Sequence, residues 1–162
     1  MNPDGTAELK RRQARRAPRS APAHPARNAP ASVLPQPPLD PRLIEGVGLY
    51  NHQQFFQCHE VVESLWLDTT GPPKNFYKGV IQAAVAFYHW SRGNLPGALT
   101  LARSSVNYLK VYRPVYCQID VDRFVEEFSG LFQWLRRHRQ RYDARLVPAI
   151  RWVRPPVAGS LG

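Results

Sequence analysis

A chain of 162 residues with a hydrophobic fraction of 43% is long enough to bury one core, so a single domain is the expectation. Its net charge of +10 favours anionic partners such as nucleic acid and carries no information about the fold. Only two cysteines occur, Cys58 and Cys117, in no CxxC spacing, which argues against a disulfide framework and points to a reducing, cytoplasmic setting.

Residues 1–39 read as a disordered basic tail. The stretch "RRQARRAPRSAPAHPARNAPASVLPQPP" is Ala, Pro and Arg with little to bury, and it cannot offset an ordering cost of about 1–2 kcal/mol per residue. Seven basic against two acidic residues give it +5, half of the whole charge, which suits an arm that touches nucleic acid. The pairs Arg11-Arg12 and Arg15-Arg16 resemble an export signal, but no apolar segment follows them, so none is expected. No run approaches the roughly 20 apolar residues of a membrane span, so no membrane partner is expected either.

From residue 40 to about 155 the pattern predicts a compact all-α bundle of four to five helices, with residues 156–162 as a disordered C-terminus. Asp40-Pro41 is a cap and first-turn pair for a short helix over "RLIEGVGLY". Asn51 is the expected cap of a second helix over 52–68. Pro72-Pro73 starts a third through Arg92, and "RGNLPG" breaks it, with Gly93 and Asn94 suited to a left-handed cap and Pro96 to the next first turn. A fourth helix runs to about 112, where Arg113-Pro114 stops it. Asp120 caps the last, "VDRFVEEFSGLFQWLRRHRQRY". The closing "RLVPAIRWVRPP" reads as extended, packing back through Ile150 and Trp152. No run alternates with period two for long enough to predict a sheet.

The second helix carries the chemistry. At about 100° per residue, Phe55, Phe56, Val62, Glu63 and Trp66 all fall within about 60° of His59, and Glu60 points to the margin. His59 and Glu63, four apart, are neighbours on a face that the pattern predicts to be buried. On the third helix, Gly79, Gln82, Ala86, His89 and Gly93 form a face of small residues broken by an amide and an imidazole. That face is expected to meet the His59 stripe. A buried carboxylate needs a cation or strong donors. Either Glu63 pairs with an imidazole in a structural network completed by Gln82 and Trp66, or His59, Glu63 and His89 hold a divalent metal, with Glu60, Trp66 and Gln82 lining the site. A metal-dependent hydrolase is the enzyme class the second alternative would suit. "HEVVE" fails the zinc-protease HExxH pattern, because Glu63 stands where the second His is required. A Cys58–His59 dyad is sterically poor, since adjacent helical residues diverge by about 100°. "RRHRQR" is a basic cluster that the helix dipole alone explains, or a second contact for nucleic acid.

Tyr50-Asn51, then His59, Glu63 and Trp66, then Gly79, Ile81, Gln82, His89, Gly93, Asn94, Gly97 and Ala98 occur in an order that resembles the bacterial and archaeal family known as domain of unknown function 309. Ile119 to Val121 is similar to a later segment of the same pattern, so the resemblance runs over roughly 40–128. It implies an all-helical fold and a His-x-x-x-Glu motif suggested to bind metal, with no established activity. Gln57 departs from the pattern, standing where the resemblance implies Glu in many relatives.

Overall fold

Asp40 opens the first helix as expected: its carboxylate accepts the Arg42 N–H at 2.8 Å, and Pro41 supplies the fixed φ of a first turn. The Arg42 guanidinium, hydrogen-bonded to the same carboxylate, holds the Asp40 acid below its usual range. The computed structural model describes residues 34–157. The expected disorder of residues 1–33 and 158–162, and the contact of the basic arm with nucleic acid, lie outside them. Five α-helices build the described fold: α1 Pro41–Asn51, α2 Phe55–Asp68, α3 Pro73–Ser91, α4 Leu95–Leu109 and α5 Val121–His138. Each packs on its neighbour in the chain, with α3 and α4 the most extensive pair, and the all-α bundle read from the sequence is the fold observed.

Asn51 does not cap α2. It is the last residue of α1, the chain turns through a positive φ of 61° at Gln53, and α2 starts only at Phe55. The Asn51 amide instead clasps Ile150, donating to its carbonyl and accepting from its N–H, both at 2.9 Å. Tyr50 reinforces the join by donating its hydroxyl to the Pro148 carbonyl at 2.9 Å. The returning segment is thereby pinned, and Ile150 enters the core at 2% exposure. Asn51→Ala removes both hydrogen bonds, at about 1 kcal/mol each. Urea unfolding should show the loss, and hydrogen exchange should rise first at Ile150.

Two short strands, β1 Val115–Tyr116 and β2 Ile119–Asp120, correct the expectation of no sheet. They pair antiparallel through a two-residue turn, with Cys117 and Gln118 at φ of 48° and 60°, and Ile119 also bridges Trp152. Strands of two residues are too short to show a period. Residues 34–39 give a second correction to the reading of the tail. The Cys117 N–H donates to Gln36 at 2.9 Å, the Tyr116 hydroxyl donates to the Pro35 carbonyl, and Leu34 and Leu39 pack on the core. Contact with the domain therefore begins ahead of the Asp40 cap.

Phe87 sits at the centre of the interior, fully buried, with the rings of Phe55, Phe128 and Phe132 at centroid distances of 5.4, 5.5 and 5.2 Å. Tyr50 and Trp90 close the cluster. Glycine lets two helix pairs approach within this frame. A Cβ on Gly46 would lie 2.4 Å from a Val62 methyl, and one on Gly79 would lie 2.6 Å from Leu109. No helix among the described residues is long and apolar enough to cross a membrane.

Candidate functional site

The buried side of α2 is Phe55, Cys58, Val62 and Leu65, whose mean direction lies about 80° round the helix from His59. This corrects the stripe expected from the sequence. His59 and Glu63 stand at its margin, with side chains 27% and 44% exposed, and Phe56 and Glu60 face solvent. Flanking Phe and Trp residues draw the eye to His59 as the centre, while the small Cys58 is the true centre and wholly buried. The cost of burying an unpaired carboxylate does not arise at Glu63. Burial pushes the Cys58 thiol up to about 12, so it offers no thiolate at neutral pH and the Cys58–His59 dyad fails on chemistry as well as direction.

His59 Nε2 lies 3.6 Å from Glu63 Oε2, the ion-pair contact expected at four-residue spacing. The register of the α2–α3 hairpin follows from its other contacts. Phe56 meets Tyr88 at a centroid distance of 5.7 Å, and the Lys78 ammonium lies 4.7 Å from the centre of the Trp66 ring. Because the helices run antiparallel, Gln82 falls level with Glu63. Gln82 Oε1 is buried and meets no donor among the described residues. Such an orphan is uncommon and is met by an ordered water, an ion or another ligand.

Trp66 does not join a polar network with His59. Its ring is flanked by Lys78 and by Lys74, whose ammonium is 4.5 Å from the ring centre and also donates to the Trp66 and Thr69 carbonyls, capping the end of α2. The sequence reasoning missed these lysines. Their spacing of four, just across a short loop from Trp66, was the signal that could have found them.

His89 is not gathered with His59 and Glu63. Among the described residues no three His, Cys, Asp or Glu side chains gather as a group that could hold a metal. Instead His89 belongs to the α3–α4 corner. Gly93, at φ 79°, ends α3: its N–H donates to the Trp90 carbonyl and that of Asn94 to the His89 carbonyl. Asn94 then caps α4, its Oδ1 accepting the Gly97 N–H at 3.0 Å. That bond fixes the orientation of the amide, so Asn94 Nδ2 donates to His89 Nδ1 at 3.1 Å. That contact occupies His89 Nδ1 with the Asn94 amide and ties the ring to this corner. Gly97 is required because a Cβ there would lie 2.5 Å from the same amide. His89, Gly93, Asn94 and Gly97 thus form one structural corner. At Gly79 the small face of α3 serves α4 rather than α2: Gly79 meets Leu109, and its carbonyl accepts the buried Ser105 hydroxyl at 2.7 Å.

At the end of α5, Arg136, Arg137, Arg139 and Arg141 are exposed, and Trp134 stacks on His138 at a centroid distance of 4.6 Å.

Comparison with known proteins agrees with the motif pattern. The chain is 39% identical over 86 residues to the uncharacterized protein YpuF of Bacillus subtilis (strain 168), covering 50% of this chain and 48% of that one. The chain thus spans about half the length of the relative it matches. No solved structure matches it. Residues 43–101, which hold His59, Glu63, Gln82 and the whole α3–α4 corner but not the segment 119–121, match the family described as Domain of unknown function (DUF309), and over them the resemblance read from the motifs is borne out.

Proposed function

We propose that the α2–α3 edge is a divalent-cation site in which His59 and Glu63 are joined by the Gln82 side-chain oxygen in place of His89. The observation that carries this reading is the orphaned Gln82 Oε1, buried on α3 at about the height of the pair along the hairpin. A separation of 3.6 Å is short enough for both side chains to reach one ion at about 2.0–2.2 Å each. Imidazole, carboxylate and amide oxygen together suit a borderline divalent metal such as zinc or manganese. Three protein donors leave positions for water, and a bound ion would supply Lewis acidity there. Lys78, over Trp66 and next to Gln82 on the same face of α3, would meet an anionic group brought to that water.

Chelator-treated protein titrated with zinc or manganese should gain about 2.7 kcal/mol of stability at a hundredfold excess over the dissociation constant. Glu63→Gln should weaken binding by about tenfold or more, since a charged donor is lost while the shape is kept. Gln82→Leu should weaken binding too, yet leave the apo protein as stable or more so, because it removes an unsatisfied polar atom. Absence of stabilisation by either metal, or titrations identical in both variants and the parent, would overturn the reading and leave His59–Glu63 as a local ion pair.

A further inference from the structure

Between α4 and α5 lies a groove of about 470 Å³, on helices that carry neither His59 nor Glu63. Leu99, Ala102, Val106 and Phe132 line it, and Arg103 from α4 and Arg136 from α5 complete it with charge. Both arginines are exposed, and neither has a carboxylate partner among the described residues. A concave lining of mixed apolar and polar side chains, at about 300–1,000 Å³, falls within the size of a small-molecule site.

Charge separates the candidate occupants. The chain's own tail is basic, with net +5, and would be repelled by both guanidinium groups. A second copy packed groove to groove would bring four arginines, and no carboxylate from the groove, into one interface. A ligand with an apolar body and an anionic head satisfies both parts of the groove. We propose that it binds a free single-chain carboxylate amphiphile, the chain lying on Leu99, Val106 and Phe132 and the head paired with Arg103 and Arg136. Planar guanidinium groups from two helices suit a carboxylate because each can bond both of its oxygens.

The probe is dodecanoate below its micelle concentration, titrated calorimetrically into the full chain, with dodecanol and dodecyltrimethylammonium as neutral and cationic counterparts. Dodecanoate should bind saturably at one site and the cationic chain should not. The double variant Arg103→Gln/Arg136→Gln should lose about tenfold or more in affinity toward the dodecanol level, as expected for hydrogen bonds to a charged group. Val106→Trp should fill the groove and abolish binding, while both variants keep the parent's helical circular dichroism. Glu63→Gln should bind dodecanoate as the parent does, which separates this proposal from the metal reading. Unchanged affinity in the double variant, or equal binding of the anionic and cationic chains, overturns it. So does the absence of saturable binding. Self-association of the parent that Val106→Trp removes would assign the groove to a second copy instead.

Discussion

Phe87→Ala should destabilise the domain by about 3–5 kcal/mol, the range for truncating a fully buried aromatic. The residue is wholly inside, and its ring contacts Tyr50 of α1, Phe55 of α2 and both Phe128 and Phe132 of α5 as well as its own helix. No single neighbour can swing in to refill a space walled by four helices, so the cavity term adds to the lost transfer energy. The thermal midpoint should fall by roughly 10–20 °C in a domain of this size. Phe87→Leu, which keeps more of the volume, should cost much less. A midpoint lowered by only a few degrees in Phe87→Ala would mean that the five rings around it are not packed as described.

Gly46→Val should cost about 2–3 kcal/mol, and Val62→Ala in the same chain should recover much of that loss. The new Cβ would stand 2.4 Å from Val62 Cγ2, and Val62 is a stiff, β-branched side chain with no exposed surface. Propensity alone points the other way, since glycine is the poorer residue inside a helix. A destabilising result therefore reports the α1–α2 contact and not the helix itself. The pair forms a double-mutant cycle, and strongly non-additive effects measured by denaturant unfolding are the expected outcome. Additive effects would place the two side chains out of contact.

The sequence predicted the site less well than the fold, for reasons that differ residue by residue. The His59–Glu63 pairing followed from four-residue spacing, a local relation that any α-helix enforces. Gln82 stood out as an amide on an otherwise small face, but its orphaned oxygen depends on what surrounds it. His89 was read as a ligand from its spacing on one helix, whereas its hydrogen-bond partner in the structure is Asn94. Asn94 lies five residues on, beyond the helix end, where helical angles no longer apply. Asn51 was read as a cap from its neighbours, while its real partner lies 99 positions away.

What the sequence by itself determined is the set of local events. Asp40 and Asp120 cap because a carboxylate at that position can reach an N–H two or three residues on, whatever the rest of the chain does. Gly93 ends α3 because glycine tolerates a left-handed backbone at little cost. The apolar periodicity likewise required helices that bury one side. Which side each buries is not local. α2 carries apolar residues across a wide arc, broad enough to pack on Cys58 or on His59, and only the placement of α1 and α3 decided that Cys58 went inside. That choice left His59 and Glu63 at the rim, where solvent and a ligand can reach them, because burial is settled by all the packed surfaces together and not by one helix's pattern.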